Sequence, residues 1–488
     1  MSLEPANAAY PGAAYDAAWR ELTFPGGYTN PEPKRRYHLV IIGAGSAGLI
    51  TAIGAAGLGA RVALIEREAM GGDCLNVGCV PSKALLEFTR RSNGVASFEA
   101  AFDWLRKVRA EISEHDSVER YTQNGVDVFL GSASLVDDST VQVGEQHLNA
   151  RRIVLATGAR AAIPPIPGLA ECEPLTSETL FDLREPPASL AILGAGAIGC
   201  EMAQAFARLG VDIHLFEMAD RVLPLEEPEA SAAVAEALQQ SGVTLYLNTP
   251  ISKISSHDSG ITVDSPDRQI TADRILVAAG RRANIEGLNL DAVGVATTAG
   301  LVSVDRRLRT SNSRIYAAGD VCSRQQFTHN ADAQARIVVQ NALFAPTAST
   351  DKLIIPHCTY TDPEVAHVGQ SKTILEQESK DFDLYRVEFG DLDRSRTAGD
   401  TTGFVEILIA KGSDEILGAT IVGHDAGEQI ASLCLAMNHG IGLSGLGKAV
   451  LPYPTRAEYL HRLADSYNRT RLTPMTKRIM SRWFRWSI

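Results

Sequence analysis

The sequence predicts an α/β protein that carries one dinucleotide-binding unit twice. Three observations predict it. A short apolar run leads into a glycine-rich turn, an acid closes the next apolar run, and the whole set recurs 151 residues later. At 488 residues the chain has material for two to four domains and ample buried core.

Composition narrows the class. The chain is 45% apolar and 21% charged, as in ordinary globular proteins, and its net charge of −12 argues against a general nucleic-acid binder. Seven irregularly spaced cysteines do not form a secreted disulfide framework, and residues 1–33 lack the basic start and apolar run of a signal peptide. The cytoplasm is the expected compartment. Leu39 to Ala60 holds 22 uncharged residues behind Lys34-Arg35-Arg36, but six are glycine, which argues against a membrane span.

In chain order, residues 1–36 read as a surface extension with one short helix near Tyr15–Leu22, and Met1-Ser2-Leu3 has the look of a vector-derived start. Tyr37–Ile42 is a buried parallel strand. It runs into Gly43-Ala44-Gly45-Ser46-Ala47-Gly48, a helix to about Gly57, a strand Val62–Ile65 and then Glu66. Gly43 makes the tight turn, Gly45 admits a pyrophosphate to the helix N-terminus, Gly48 permits close helix–strand packing, and Glu66 accepts from ribose hydroxyls. The second unit repeats each part: Leu190–Leu193, then Gly194, Gly196 and Gly199, a helix to about Leu209, a strand Asp212–Phe216 and Glu217.

Between the two lies Gly71–Leu85, GGDCLNVGCVPSKAL, around which the chemistry is arranged. Cys74 and Cys79 stand five apart, and Pro81 with Ser82-Lys83-Ala84-Leu85 marks the first turn of a helix. Unpaired amides and partial positive charge at a helix start favour a thiolate, lowering a thiol pKa from about 8.5 into the range of roughly 3.5–7.5. Gly71, Gly72 and Gly78 let the backbone approach something flat and bulky. A zinc half-site or two inert buried thiols are the competing readings; zinc sites usually show Cys-x-x-Cys spacing and a second ligand pair. Two dinucleotides on one chain imply electron transfer, most simply from a nicotinamide to a flavin. The cysteines follow the first unit, so FAD is expected there and the nicotinamide in the second.

On these motifs the chain resembles the FAD-dependent pyridine nucleotide–disulfide oxidoreductases, which include lipoamide dehydrogenase, glutathione reductase and mercuric reductase. The resemblance runs from about Tyr37 to Glu458. Ala156-Thr157-Gly158 resembles the segment where the chain leaves the FAD lobe, and Ala278–Asn284 (AAGRRAN, with Gly280) the segment where it returns. Tyr316-Ala317-Ala318-Gly319-Asp320 resembles the second FAD motif, whose acid, here Asp320, holds the ribityl chain; Pro356–Gly369 resembles the opening of a dimerisation domain. Lys83 corresponds to the family's lysine beside the flavin and Glu201 to its ion-pair partner; on residues alone both read as surface charges. The resemblance implies two Rossmann-like domains, for FAD and NAD, and a C-terminal α+β dimerisation domain. The expected bounds are 1–36 for the extension, 37–160 with 284–349 for FAD, 161–283 for NAD(P) and 350–488 for dimerisation. It also implies a Cys74–Cys79 redox disulfide, with Cys79 against the flavin and Cys74 toward substrate, and a homodimer in which each site borrows Tyr453 and Glu458 from its partner. Glu217 favours NADH over NADPH, a preference that Arg221, four residues on, softens. His329, an isolated histidine after the Asp320 motif, reads as structural.

The chain departs from the pattern at one point. The family's disulfide reductases end in His-Pro-Thr-x-x-Glu, whereas Tyr453-Pro454-Thr455-Arg456-Ala457-Glu458 stands here. A phenol titrating near pH 10 is a poor base at neutral pH, so disulfide reduction is expected to be slow. Mercuric reductases resemble the chain in that tyrosine but carry paired C-terminal cysteines, and Leu472–Ile488 has none. The soluble transhydrogenase shows a similar Tyr-Pro-Thr stretch without the cysteine pair. The expectation is thus a mercuric-reductase-like enzyme passing electrons from NADH, or NADPH, through FAD and the cysteines to a metal ion, quinone or other small oxidant. The alternatives are a lipoamide-dehydrogenase-like disulfide reductase, a transhydrogenase or NADH oxidase, and a non-enzymatic nucleotide sensor. Arg469, Arg471, Lys477, Arg478, Arg482 and Arg485, with Trp483, Phe484 and Trp486, make a basic aromatic tail. Packing against the acidic body or a dimer mate is the favoured reading, membrane-surface contact the other.

Overall fold

A computed structural model describes residues 10, 12–92, 94–258 and 260–487, so Met1-Ser2-Leu3 lies outside the described residues. The chain divides into two compact units, Met1–Met218 with Gly242–Leu353, and Ala219–Ser241 with Ile354–Ile488.

The first unit holds both glycine fingerprints. Val126–Leu130, Val62–Glu66, Tyr37–Ile42 and Gln146–Leu155 lie parallel in that order, and Ile315–Ala317 pairs with the last. The apolar run 37–42 forms a strand because both sheet faces are covered: residues 39–41 are fully buried. The second fingerprint repeats the order: Thr244–Tyr246, Asp212–Phe216, Ser189–Leu193 and Arg274–Val277 are parallel neighbours. The duplication exceeds the glycine motif. In each copy an antiparallel meander, Ala133–Leu155 in one and Lys253–Ala272 in the other, precedes or includes the fourth parallel strand. Equivalent hydrogen bonds have equal lengths. Gly43 N–H donates to Ile65 O and Gly194 N–H to Phe216 O, both at 2.8 Å; Ala156 N–H to Ile42 O and Ala278 N–H to Leu193 O are also both 2.8 Å.

The uncharged stretch Leu39–Ala60 is divided between a strand and the helix Ser46–Gly57, and among the described residues no helix is long and apolar enough to cross a membrane. The N-terminal helix, Ala13–Thr23, does not simply lie on the surface. Trp19 and Thr23 are buried, and so is the charged Asp16.

The second unit is α+β. Its antiparallel sheet runs in the order His357–Thr359, Glu364–Gly369, Ile416–Gly423, Phe404–Ala410 and Phe382–Glu388. Helices Ala426–Asn438 and Tyr459–Thr470 bury Ile430, Leu433, Tyr459, Leu460 and Leu463 in its core. None of the residues of the final helix, Pro474–Trp486, is buried.

Candidate active site

Cys79 is the first residue of the helix Cys79–Arg91, with Gly78 before it. Pro81 falls in the first turn, where its missing N–H costs nothing. Cys74 sits on the short preceding helix Gly72–Asn76. A Cβ on Gly72, whose φ is 59°, would come within 2.6 Å of the Gly45 Cα, so the cysteine loop lies against the first fingerprint turn.

Cys74 and Cys79 are neighbours, with no disulfide between them. The Cys79 thiol is lowered to about 6, chiefly by the hydrogen bond from Cys74 and then by the charge of Lys83, against the opposing effect of burial. Cys74 is pushed strongly up by the same contact and by burial. The pair therefore gives up one proton easily and holds the other. The Thr328 hydroxyl stands 3.6 Å from the Cys79 sulfur. We expect thiolate absorbance at 240 nm in the reduced protein to rise through about pH 6. Lys83→Met should move that midpoint upward. A wild-type midpoint near 8.5, the free-thiol value, would contradict the assignment.

Lys83 Nζ lies 2.8 Å from Glu201 Oε2, and Glu201 is only 3% exposed, far from a surface charge. They meet because Lys83 rides the helix that starts at Cys79 and Glu201 the helix Ala197–Arg208 of the second fingerprint. A buried carboxylate of this kind persists only when paired.

The nucleotide turns fit the groups expected of them. Gly43 has φ 102°, and a Cβ there would meet the Ala156 carbonyl oxygen at 2.3 Å; a Cβ on Gly48 would meet the Gly43 oxygen at 1.8 Å. Gly194 and Gly199 repeat both constraints, while around Gly196 a Cβ would meet nothing within 4 Å, which leaves room for a phosphate. Glu66 and Glu217 each accept from an amide of their turn, Ala44 N–H and Ala195 N–H, both at 2.8 Å. These carboxylates thus shape the turn. Burial raises the Glu66 pKa. Arg221 donates to the Pro224 carbonyl at 3.1 Å and lies 3.3 Å from Asp220.

The leaving and returning segments pair directly. Ala159–Ala161 and Arg281–Ala283 form a two-stranded ribbon, Thr157 Oγ1 donates to Asn284 O at 2.7 Å, and Asn284 N–H donates to Gly158 O at 3.0 Å. Gly280 leads into that ribbon. Next to Gly319, Asp320 is pushed up to about 6 by burial, with Arg281 opposing at 3.6 Å.

Several residues of this site escape a reading of the sequence. Arg281 bridges Asp73 of the cysteine loop and Asp320, and among the described residues its buried Nε has no protein partner. That donor, beside the Asp320 carboxyl and the cysteine loop, suits a polar cofactor chain. Arg109 Nη1 donates to the Asn76 carbonyl at 2.9 Å, and Trp19 Nε1 to the Asn76 side chain at 2.7 Å, tying the N-terminal helix to the cysteine loop. The signal for Arg281 was its place in the returning segment; Asn76, Trp19 and Arg109 gave none. His329, exposed, stacks on Phe327 at 5.4 Å.

Tyr453 and Glu458 each have another partner. The Tyr453 hydroxyl donates to Asp393 Oδ2 at 2.8 Å, and this carboxylate raises the phenol pKa instead of lowering it. Glu458 Oε1 accepts from Arg462 Nε at 2.8 Å. Among the described residues no group of three or more His, Cys, Asp or Glu is placed to hold a metal ion.

Comparison with known proteins bears on this geometry. The family described as pyridine nucleotide-disulphide oxidoreductase matches residues 37–335, and its dimerisation domain matches residues 355–464. A mercuric reductase of Staphylococcus aureus is 33% identical over 452 residues, covering 89% of this chain and 83% of that protein. A dihydrolipoyl dehydrogenase of Chlorobaculum tepidum is 32% identical over 457 residues, covering 88% of this chain and 96% of the other. Among solved structures, the HOCl-induced flavoprotein disulfide reductase RclA from Escherichia coli superposes with a TM-score of 0.81 at 30% identity, covering 88% of this chain and 99% of that one.

Proposed function

This chain belongs to the pyridine nucleotide-disulphide oxidoreductase family, and from that premise we propose that it carries electrons from NADH through FAD and a Cys74–Cys79 disulfide to a small acceptor, in the manner of a mercuric reductase. As in the family, the cofactors are FAD and NAD(P)H, and the dimerisation domain supports a homodimer. The observation that carries the reading is the Cys74–Cys79 pair beside Lys83, on a loop whose Gly72 lies against the first nucleotide turn.

FAD, when bound, supplies the two-electron exchange between the nicotinamide and the sulfur pair. The first fingerprint, with Gly43, Gly45, Gly48 and Glu66, holds it together with Gly72, Thr157, Gly158, Gly280, Gly319 and Asp320. Gly194, Gly196, Gly199 and Glu217 hold the nicotinamide nucleotide, and the Glu217 carboxylate disfavours a 2′-phosphate. Residues 37–160 and 284–349 form the FAD lobe, 161–283 the NAD lobe and 350–488 the dimerisation domain. Cys79, as thiolate, faces the cofactor side, and Cys74 keeps its proton and faces the acceptor. Lys83 supplies the positive charge that favours the thiolate, and Glu201 holds the lysine in place. Tyr453 and Glu458 line the acceptor side of the partner subunit's site. Tyr453 remains a neutral phenol there because Asp393 opposes its ionisation, so it orients an acceptor and moves no proton at neutral pH.

A panel of acceptors under saturating NADH tests this. Turnover with metal ions or quinones should exceed that with oxidised glutathione or lipoamide, and Tyr453→His should raise disulfide turnover by about 10²-fold, the typical contribution of a placed general base. Fast wild-type reduction of lipoamide, unchanged by Tyr453→His, would favour the dihydrolipoyl-dehydrogenase reading instead.

A further inference from the structure

The preceding helix, Tyr459–Thr470, is also amphipathic, but it spends its apolar face on the core: Tyr459, Leu460, Leu463, Ala464 and Tyr467 are buried. Pro474–Trp486 spends nothing. At 100° per residue, Met475, Ile479, Met480, Trp483, Phe484 and Trp486 fill one half of its circumference, and they are 48% to 81% exposed. Lys477, Arg478, Arg482 and Arg485 fill the other half, and the helix holds no acid. The Thr473 side chain caps it by accepting from Thr476 N–H at 3.1 Å, with Pro474 at the first position, so this is a defined helix.

We propose that Pro474–Trp486 is an interfacial helix that seats the protein on an anionic lipid surface. Its composition selects that occupant over a second copy of the chain. The apolar half is wider than the two-in-seven seam by which one helix packs against another, and a lipid surface accepts such a face whole. The cations flanking that face extend to the headgroups while their stems lie along the apolar boundary. Tryptophan is among the residues that settle at that depth, and two of the chain's four tryptophans are here. The match to the family's dimerisation domain ends at residue 464, so the helix lies outside the segment that the family uses to pair subunits. The whole chain is at −12 with the tail's cations counted. An acidic second copy would answer that charge but not the breadth of the apolar half.

Vesicle sedimentation of the full-length FAD-loaded protein tests the proposal, and it does not depend on which acceptor the enzyme uses. Vesicles of phosphatidylcholine with phosphatidylglycerol should carry down at least about tenfold more protein than phosphatidylcholine alone, with the difference shrinking at high salt. Trp483→Ser with Phe484→Ser and Trp486→Ser should abolish binding, as should Gln at Lys477, Arg478, Arg482 and Arg485 together. Neither variant should change NADH turnover or the oligomeric state. Three results would each overturn the proposal: no binding by the wild type, binding that survives both variants, or dimers that dissociate when the apolar half is replaced. The last would mean that a second copy covers this face.

Discussion

Cys79→Ser lowers steady-state turnover with thiol-dependent acceptors by on the order of 10³-fold or more, while NADH still reduces the bound FAD. The variant removes the group that the site stabilises as an anion. The hydrogen bond from Cys74 and then the lysine charge bring this sulfur to about 6 against the effect of burial, whereas a serine hydroxyl remains neutral. Cys74→Ser should lose acceptor turnover to a similar extent, and Cys74→Ala should also raise the Cys79 pKa, because it removes the hydrogen bond that lowers it most. The two losses should not multiply in the double variant, since the cysteines act as one unit. Serine is close to cysteine in size, so the fold and the FAD content should be unchanged. If the double Ser variant keeps full activity, electrons leave without the sulfurs, as in a transhydrogenase or an NADH oxidase.

Asp16→Ala destabilises the first unit by about 3–5 kcal/mol, the range for removing one partner of a buried ion cluster. Asp16 lies 2.6 Å from Arg109 Nη2 and 3.2 Å from Arg106 Nε, and both arginines are fully buried. Burial already lowers the Arg106 pKa, so taking away the carboxylate leaves two costly cations. The Arg109 guanidinium also lies 4.1 Å over the Trp19 ring, and both groups hold Asn76, between the two cysteines. Loss of Asp16 should therefore loosen the cysteine loop. Denaturant unfolding measures the stability change, and hydrogen exchange across residues 72–79 reads the loop. Asp16→Asn should give an intermediate result because it keeps a hydrogen-bonding oxygen but no charge. A loss below about 1 kcal/mol, the ordinary contribution of one hydrogen bond, would mean that the helix is only a surface appendage.

The difference between what could be read from the chain and what could not follows the range of the interactions. The two glycine turns are legible because each of their constraints is local: a positive φ, a helix pressed on a strand, an acid at a fixed distance. The antiparallel meanders between the third and fourth parallel strands are not, because their short strands carry polar faces and leave no strong period. Residues 15–22 read as a helix, but Asp16 reads as a solvent-facing charge. Only the fold brings Arg106 and Arg109 to it from some ninety positions away. Lys83 and Glu201, 118 apart, came together in the sequence only through family resemblance. The Tyr453 contact with Asp393 spans 60 positions, so no local pattern signals it.

Anaerobic titration of the FAD-loaded protein with NADH is the most direct measurement. Long-wavelength thiolate-to-flavin absorbance should appear as two electrons enter, at any pH above about 6, accompanied by two newly titratable thiols that are absent in Cys79→Ser. FAD that bleaches with no such band and no gain in thiols would show that Cys74 and Cys79 stand outside the path of the electrons.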